Sequence, residues 1–340
     1  MNLKIKEALR ASLILSSYGR MGSINQFIDS VYVINMDKDT KRLAEIDASL
    51  RAVGIRYERF PAIDGSLIST DTKLAPICMK FCTNGMKGCA LSHHAVWKKA
   101  IEKGDKTVMV MEDDAIIPDD INERIADVFS RIPYEWDILY VGCRYMCNDK
   151  EGVARVGNFI FGTSPEQYDG EIKKVKGSIG SHAIIYKTEF LKKIIDEMIY
   201  THIDGQLILW AKEFKANAFG LYPDLVKVDE SKTESNLSDS FPPLLVTGLN
   251  QVNLVEGIPL GWMLNESTFK IAGLNINLVS LVFMALVLYL PWRFIVVLFA
   301  WLLVEFIASR GDFKGVARFL LFGGFALLIR HCVDRVKKGL

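Results

Sequence analysis

The densest chemistry in this 340-residue chain is Glu112-Asp113-Asp114, three adjacent carboxylates inside "KTVMVMEDDAII". A fully apolar run leads into them and apolar residues follow at once. Neighbouring negative charges repel, and the mouth of a core strand is a poor place to leave that repulsion unrelieved. A hard divalent cation bound by oxygens relieves it, and Mg²⁺ or Mn²⁺ held this way can bridge to phosphates. Side chains alternate along extended backbone, so Glu112 and Asp114 share one side while Asp113 faces the other. Acids also complement a helix N-terminus. That reading suits Asp119-Asp120 better, because "AIIP" rather than a helix follows the triplet.

Ligands of an open α/β sheet bind outside the C-terminal ends of its strands, so the elements around "TVMVM" decide what meets the acids. "VYVIN" (Val31 to Asn35) is a short apolar, β-branched strand. The helix after it has Asp37 or Asp39 as N-cap, Leu43, Ile46 and Leu50 on one face, and Gly54 as its stop. "IRYERFPAIDG" is a second strand that turns at Asp64-Gly65. "GCALSHHAVWKKAIEKG" is a helix facing Cys89, His93, Val96, Trp97 and Ala100 inward. A helix from about Asp119 to Ser130 precedes the strand "WDILYVG". Strands alternating with helices predict a mainly parallel, open, Rossmann-like sheet.

Composition is that of a globular protein, 50% hydrophobic and 24% charged, and a net charge of +1 gives no electrostatic footprint for nucleic acid. The cysteine spacings "CMKFC" and "CRYMC" have three intervening residues, where zinc-binding pairs commonly have two. They read as buried free thiols, reduced in a cytoplasmic body. Arg10 interrupts the apolar part of the N-terminus, which argues against a secretory signal. Two sequons, at Asn236 and Asn265, matter only in a secretory compartment.

The last quarter differs. Ile271 to Trp292 and Phe294 to Val304 carry no charge, and Phe319 to Ile329 is a third apolar run between Arg318 and Arg330. At about 1.5 Å per residue the first run can just cross a hydrocarbon core of about 30 Å. The eleven-residue third run is too short to cross and is expected in the interface. A two-helix hairpin followed by an interfacial helix keeps the basic segments and the catalytic body on the cytoplasmic side. The expected layout is an extension over 1–29, a catalytic domain over 30–240, a linker over 241–270 and a membrane-associated segment over 271–340.

"GCALSHHAVWKKAIEKGDKTVMVMEDDAII" resembles the core of glycosyltransferase family 25, the lipooligosaccharide β-galactosyltransferases and collagen galactosyltransferases. The likeness extends to "VYVINMDKDTKR", "FPAIDG", "GSIGSHAIIYKTEFLKKI", "THIDGQL" and "YPDLVKVDESKTESNLSD", from about Val31 to Asp239. It implies a GT-A-type fold, a UDP-sugar donor and a divalent metal, Mn²⁺ or Mg²⁺. Glu112, Asp113 and Asp114 match the family's acidic metal and nucleotide motif, with Glu where the general motif begins with Asp. Asp114 and Glu112 are then the metal ligands and Asp113 lies by the nucleotide. Asp204 matches an acidic position and becomes the candidate base or acceptor ligand, although it also fits a helix cap. His93 gains a site role against the alternative of a core histidine.

Four further positions follow with bland alternatives beside them. His182 lies where Gly180 and Ser181 suggest close approach of backbone to ligand. Arg42 reaches toward donor phosphates or is solvated. Asn35 contacts the nucleotide or ends strand pairing, and Asp64 lies near the donor or only makes its turn. The expected function is metal-dependent, inverting transfer of a hexose, galactose foremost, to a lipid-linked glycan such as a lipooligosaccharide core. The rivals are a Mg²⁺-dependent nucleotidyl or phosphoryl transferase, for which the sequence lacks a GxxxxGK[ST] loop, and a non-catalytic membrane scaffold.

Overall fold

The computed structural model describes residues 23–69, 72–143, 146–148, 154–155, 158–159, 162–228, 245, 248–249, 253–255, 258–259, 264, 267–271, 274–308 and 313–337. The stretch "ESKTESNLSDSFPP", both sequon asparagines and most of the expected linker lie outside the described residues. The helices are α1 (Thr40–Ala52), α2 (Pro76–Phe81), α3 (Asn84–Lys103), α4 (Ile121–Arg131), α5 (Thr188–Ile194), α6 (Ile203–Glu213), α7 (Leu278–Tyr289), α8 (Trp292–Ala308) and α9 (Phe313–Lys337). Strands β1 (Ser30–Asn35), β2 (Glu58–Pro61), β3 (Thr107–Glu112), β5 (Ile138–Tyr140), β6 (Glu166–Asp169), β7 (Ile172–Val175), β8 (Ala183–Lys187) and β9 (Ala218–Leu221) form one sheet. Two short strands, β4 (Ala115–Ile116) and β10 (Lys227–Val228), pair separately beside it.

The sheet order is β2-β1-β3-β8-β5-β9-β7-β6. β2, β1 and β3 are mutually parallel, as are β5 and β9. β8 is antiparallel to both β3 and β5, and β7 to both β9 and β6. Most strands therefore share one direction, as a mainly parallel sheet requires, and a reversed β8 stands in its middle. Its N-terminal residue, Ala183, pairs with Met111. The chain entering β8 thus arrives at the edge where β1 and β3 end.

Both sheet faces are covered, which is why β1 is buried at every position. Val31, Val33, Met109, Met111, Leu139 and Ile185 pack with Ile46 and Leu50 of α1 and with Ile125 and Phe129 of α4. On the other face Trp97 of α3 meets Tyr186 and Trp210 edge to face. Each such large side chain contributes about 1.5–3 kcal/mol by leaving water. α1 begins after Asp39, one of the two expected caps, and stops before Gly54, whose φ of +69° suits a residue without Cβ.

The cysteines depart from expectation. Cys143 and Cys147 form a disulfide with a Cα–Cα separation of 5.7 Å, and Cys78 and Cys82 are also disulfide-bonded. Cys89 and Cys332 alone are free thiols. The sulfurs of Cys143 and Cys147 lie where a Cβ on Gly220 would stand, so the glycine in β9 makes room for them.

The chain divides into two compact units, Met1–Met79 with Asn84–Thr233, and Lys80–Thr83 with Glu234–Leu340. In the second unit β11 (Asn253–Val255) pairs with β12 (Ile258–Pro259), and β13 (Ser267–Ile271) with β14 (Leu274–Asn277). Of the first apolar run, Ile271 and Leu274–Asn277 are therefore strand, and the Asn277 side chain caps α7 by accepting from Ser280 N at 2.8 Å. That leaves α7 only 12 residues, too short to cross. The third run, expected to be too short, continues through Arg330 into the 25-residue α9. Arg330 donates from Nη1 to the carbonyls of Val287 at 3.0 Å and Leu290 at 2.5 Å, closing the end of α7. Among the described residues, Val316–Val336 is the one helical stretch long and apolar enough to span a membrane.

Candidate functional site

β3 delivers the acids. Glu112 is its last residue and sends its carboxylate toward α3 and the entry to β8. Oε1 accepts from Ser181 Oγ at 2.5 Å, lies 3.4 Å from His93 Nε2 and 4.0 Å from Cys89 Sγ. His93 is fully buried, and its ring packs edge-on to Trp97. α3 places Cys89 and His93 together because residues four apart lie on one helical face. Burial pushes the Glu112 carboxyl up, but the imidazole of His93, the Ser181 hydroxyl and the charge of His182 outweigh it and hold it well below the usual range.

Asp113 points the other way, as alternation along the strand predicts. Its Oδ2 accepts from Asn35 Nδ2 at 2.7 Å, and its Oδ1 faces Arg42 Nη1 at 3.3 Å. Asn35 is held in turn by Arg59, which donates from Nε to its Oδ1 at 2.9 Å and also binds Asp37. Burial raises the Asp113 carboxyl against the pull of Asn35 and Arg42. The ends of β1 and β3 are thereby tied together through polar side chains.

Asp204 lies in the first turn of α6, capped by His202, whose Nδ1 accepts from the Asp204 amide at 3.3 Å. Its Oδ2 accepts from Gly180 N at 2.8 Å. Its buried Oδ1 has no hydrogen-bond partner among the described residues. Burial, then the charges of Glu112, Asp204 and Asp114, push the Cys89 thiol far up. The charges of three carboxylates, from β3, the turn after it and α6, are thus felt at one sulfur, and Glu112 Oε1 is the one in contact with it. Carboxylate oxygens such as those of Glu112 and Asp114 suit a divalent cation, and Oδ1 of Asp204 is left without a partner in the described residues.

The remaining expected residues have structural employment. His182 is buried, and its Nε2 donates to Val226 O at 3.1 Å. A Cβ on Gly142 would stand 1.9 Å from that nitrogen, so His182 fills the wall beside Gly142. Asp64 is exposed and accepts at Oδ1 from both Ser66 N and Ser66 Oγ, at 2.8 and 2.6 Å, which is its turn role. Cys89, Ser181 and Arg59 join the site without having been expected there. The signal for Cys89 was its four-residue spacing from His93. Neither Ser181 nor Arg59 carries a local signal, since their partners lie far along the chain.

Residues 28–195, about half of the chain, match the family described as glycosyltransferase family 25 (LPS biosynthesis protein). The chain belongs to glycosyltransferase family 25. A "Glycosyltransferase 25 family member" of Aedes aegypti is 29% identical over 163 residues, 44% of this chain and 26% of the relative. Its Drosophila melanogaster counterpart is 26% identical over 137 residues, 36% and 22% of the two chains. A "Probable inactive glycosyltransferase 25 family member 3" of Rattus norvegicus is 28% identical over 143 residues, 38% and 25%. The matched part of this family 25 chain thus spans about a quarter of the length of these relatives. The matched residues contain β1, α1, α3, β3 and β8, hence every side chain of the acidic site except Asp204.

Proposed function

We propose that this family 25 chain is a metal-dependent glycosyltransferase that moves a hexose, galactose foremost, from a UDP-sugar to a lipid-linked glycan. The observation carrying this reading is that the acidic motif divides at the end of β3, Asp113 meeting Asn35 and Arg42 while Glu112 turns to the opposite side. Asn35, Arg42 and Asp113 line the donor side, at the ends of β1 and β3. Asp204 stands ready at Oδ1 to take the proton of the acceptor hydroxyl as its oxygen bonds to the anomeric carbon. The bond from that carbon to the diphosphate breaks, and UDP leaves with the electron pair. Glu112 and Asp114 would hold Mn²⁺ or Mg²⁺, which when bound would supply Lewis-acid stabilisation of the diphosphate's growing charge. Attack from the face opposite the leaving group gives inversion.

The apolar C-terminal helix supports membrane association and, through it, a lipid-linked acceptor. Val316–Val336 is long enough to span, and Leu321, Phe325 and Leu328 expose apolar surface along it. An anchor confines catalyst and acceptor to one surface and raises their effective concentration. The test is incubation with several UDP-sugars and detergent-extracted glycolipids. Acceptor-dependent UDP release is expected, with UDP-galactose most effective, and no release with any pair overturns the reading. A second reading, a non-catalytic membrane scaffold, is favoured by the rat relative's name. Asp114→Asn separates them, because a scaffold keeps its cellular role while an enzyme loses it.

A further inference from the structure

We propose that Cys89, His93 and Glu112 form a mixed sulfur–nitrogen–oxygen site for a borderline-soft divalent metal of the zinc type. This goes beyond the hard-ion reading above and shares only Glu112 with it. The thiol, imidazole and carboxylate ligand atoms all lie within 4.8 Å of one another. Tetrahedral zinc with bonds of about 2.0–2.3 Å needs ligand atoms roughly 3.3–3.7 Å apart. The His93 Nε2 to Glu112 Oε1 distance of 3.4 Å already meets that, while Cys89 Sγ, 4.0 Å from the same oxygen and within 4.8 Å of the imidazole's ligand atom, must move inward to complete it.

The supporting shell is also in place. Ser181 Oγ fixes the carboxylate by donating to it at 2.5 Å, and Trp97 flanks the imidazole edge-on. Both helix-borne ligands sit on a rigid, packed segment of α3, and the third ends a central strand. A thiolate, a carboxylate and a neutral imidazole balance a dication, so its arrival leaves no net charge in this half-buried place. The charges of Asp114 and Asp204 also reach Cys89 and add to the attraction for a cation. Three protein ligands leave a fourth position open, as in catalytic rather than structural zinc sites. Thiolate and imidazole select zinc or cobalt over magnesium, which prefers oxygen donors alone.

The experiment is titration of the full-length, detergent-solubilised protein with Co²⁺, on a Cys332→Ser background that removes the exposed free thiol. The expected result is a thiolate-to-cobalt charge-transfer band in the near ultraviolet, with intense visible bands of four-coordinate geometry. Zn²⁺ should bleach both. Cys89→Ser should abolish the charge-transfer band, and Ser181→Ala should weaken Co²⁺ affinity about tenfold by loosening the carboxylate. If Cys89→Ser does not fold, the parent spectrum and protection of Cys89 from iodoacetamide by Zn²⁺ decide the matter alone. Cobalt bound without the thiolate band, or equal alkylation with and without Zn²⁺, overturns the site. A parallel Mn²⁺ titration read by electron paramagnetic resonance separates the two readings. Manganese bound without the cobalt–thiolate band sinks this site and spares the hard-ion reading, and the reverse pattern does the opposite.

Discussion

Asp113 shows how much of the site rests on single side chains. Its carboxylate is only 9% exposed, and Arg42 and Asn35 oppose the effect of that burial on its charge. Removing a partner from a buried charge leaves it uncompensated, and hydrogen bonds to charged groups contribute about 1.5–3 kcal/mol. Arg42→Ala should therefore destabilise the catalytic unit by about 2 kcal/mol in urea unfolding. It should also weaken UDP binding in calorimetry, with Arg42→Lys recovering part of both. Wild-type stability and affinity in the alanine variant would mean that Asp113 is held by Asn35 alone. At this scale the sequence was informative where a motif was short-range. The opposed directions of Glu112 and Asp113 followed from strand alternation. Ser181 and Arg59 did not, because their partners lie 69 and 24 positions away. Cys89 was placed on one helix face with His93 but was given no role as a ligand.

The elements β1, β3 and α3 were legible because apolar period and turn residues agree in each. The direction of β8 was not, since nothing inside "AIIYK" states which way the chain enters the sheet. Yet that reversal brings Ser181 to Glu112. Local glycines carry more than they announce. A Cβ on Gly65 would lie 1.8 Å from Asn84 O and 2.7 Å from Gly88 N, so the "AIDG" turn rests directly on the first turns of α3. Ser92 strengthens the same seam, its Oγ accepting from Ile63 N at 2.8 Å. Gly65→Ala must push backbone from backbone and should cost about 3 kcal/mol or more, read as a fall in thermal midpoint. An unchanged midpoint would show that the seam yields freely.

A pH test belongs to the same helix. His94 sends Nε2 to Ile195 O at 2.8 Å, and burial lowers its pKa from 6.5 against the opposing carbonyl. The folded state thus favours neutral imidazole. Its contribution is complete above the unfolded value near 6.5 and declines as pH falls from there toward the lower folded value. His94→Gln keeps a donor and should flatten stability between about pH 7 and 5; an identical slope in both proteins would assign the acid sensitivity elsewhere.

For the whole molecule, the apolar C-terminal quarter stands out by composition, but its helix pattern was misjudged because one cap decides it. Asn277 starts α7 late, and Arg330 lets α9 run on while its guanidinium closes α7. The cytoplasmic placement depended on a two-helix hairpin. With Val316–Val336 as the span, Arg318 lies at one end and Arg330 and Arg335 at the other, so positive charge no longer selects a side. The cysteines then bear on orientation instead. Disulfides persist in oxidising compartments and are rare where glutathione keeps thiols reduced. The Cys143–Cys147 bond, with Cys78 and Cys82 also bonded, favours an oxidising side for the catalytic unit. Cells lysed directly into denaturant containing excess membrane-permeant maleimide, with the labels counted by mass, measure this directly. Two labelled cysteines, Cys89 and Cys332, are expected before reduction and all six after it. Six labels without reductant would return the catalytic unit to the cytoplasm.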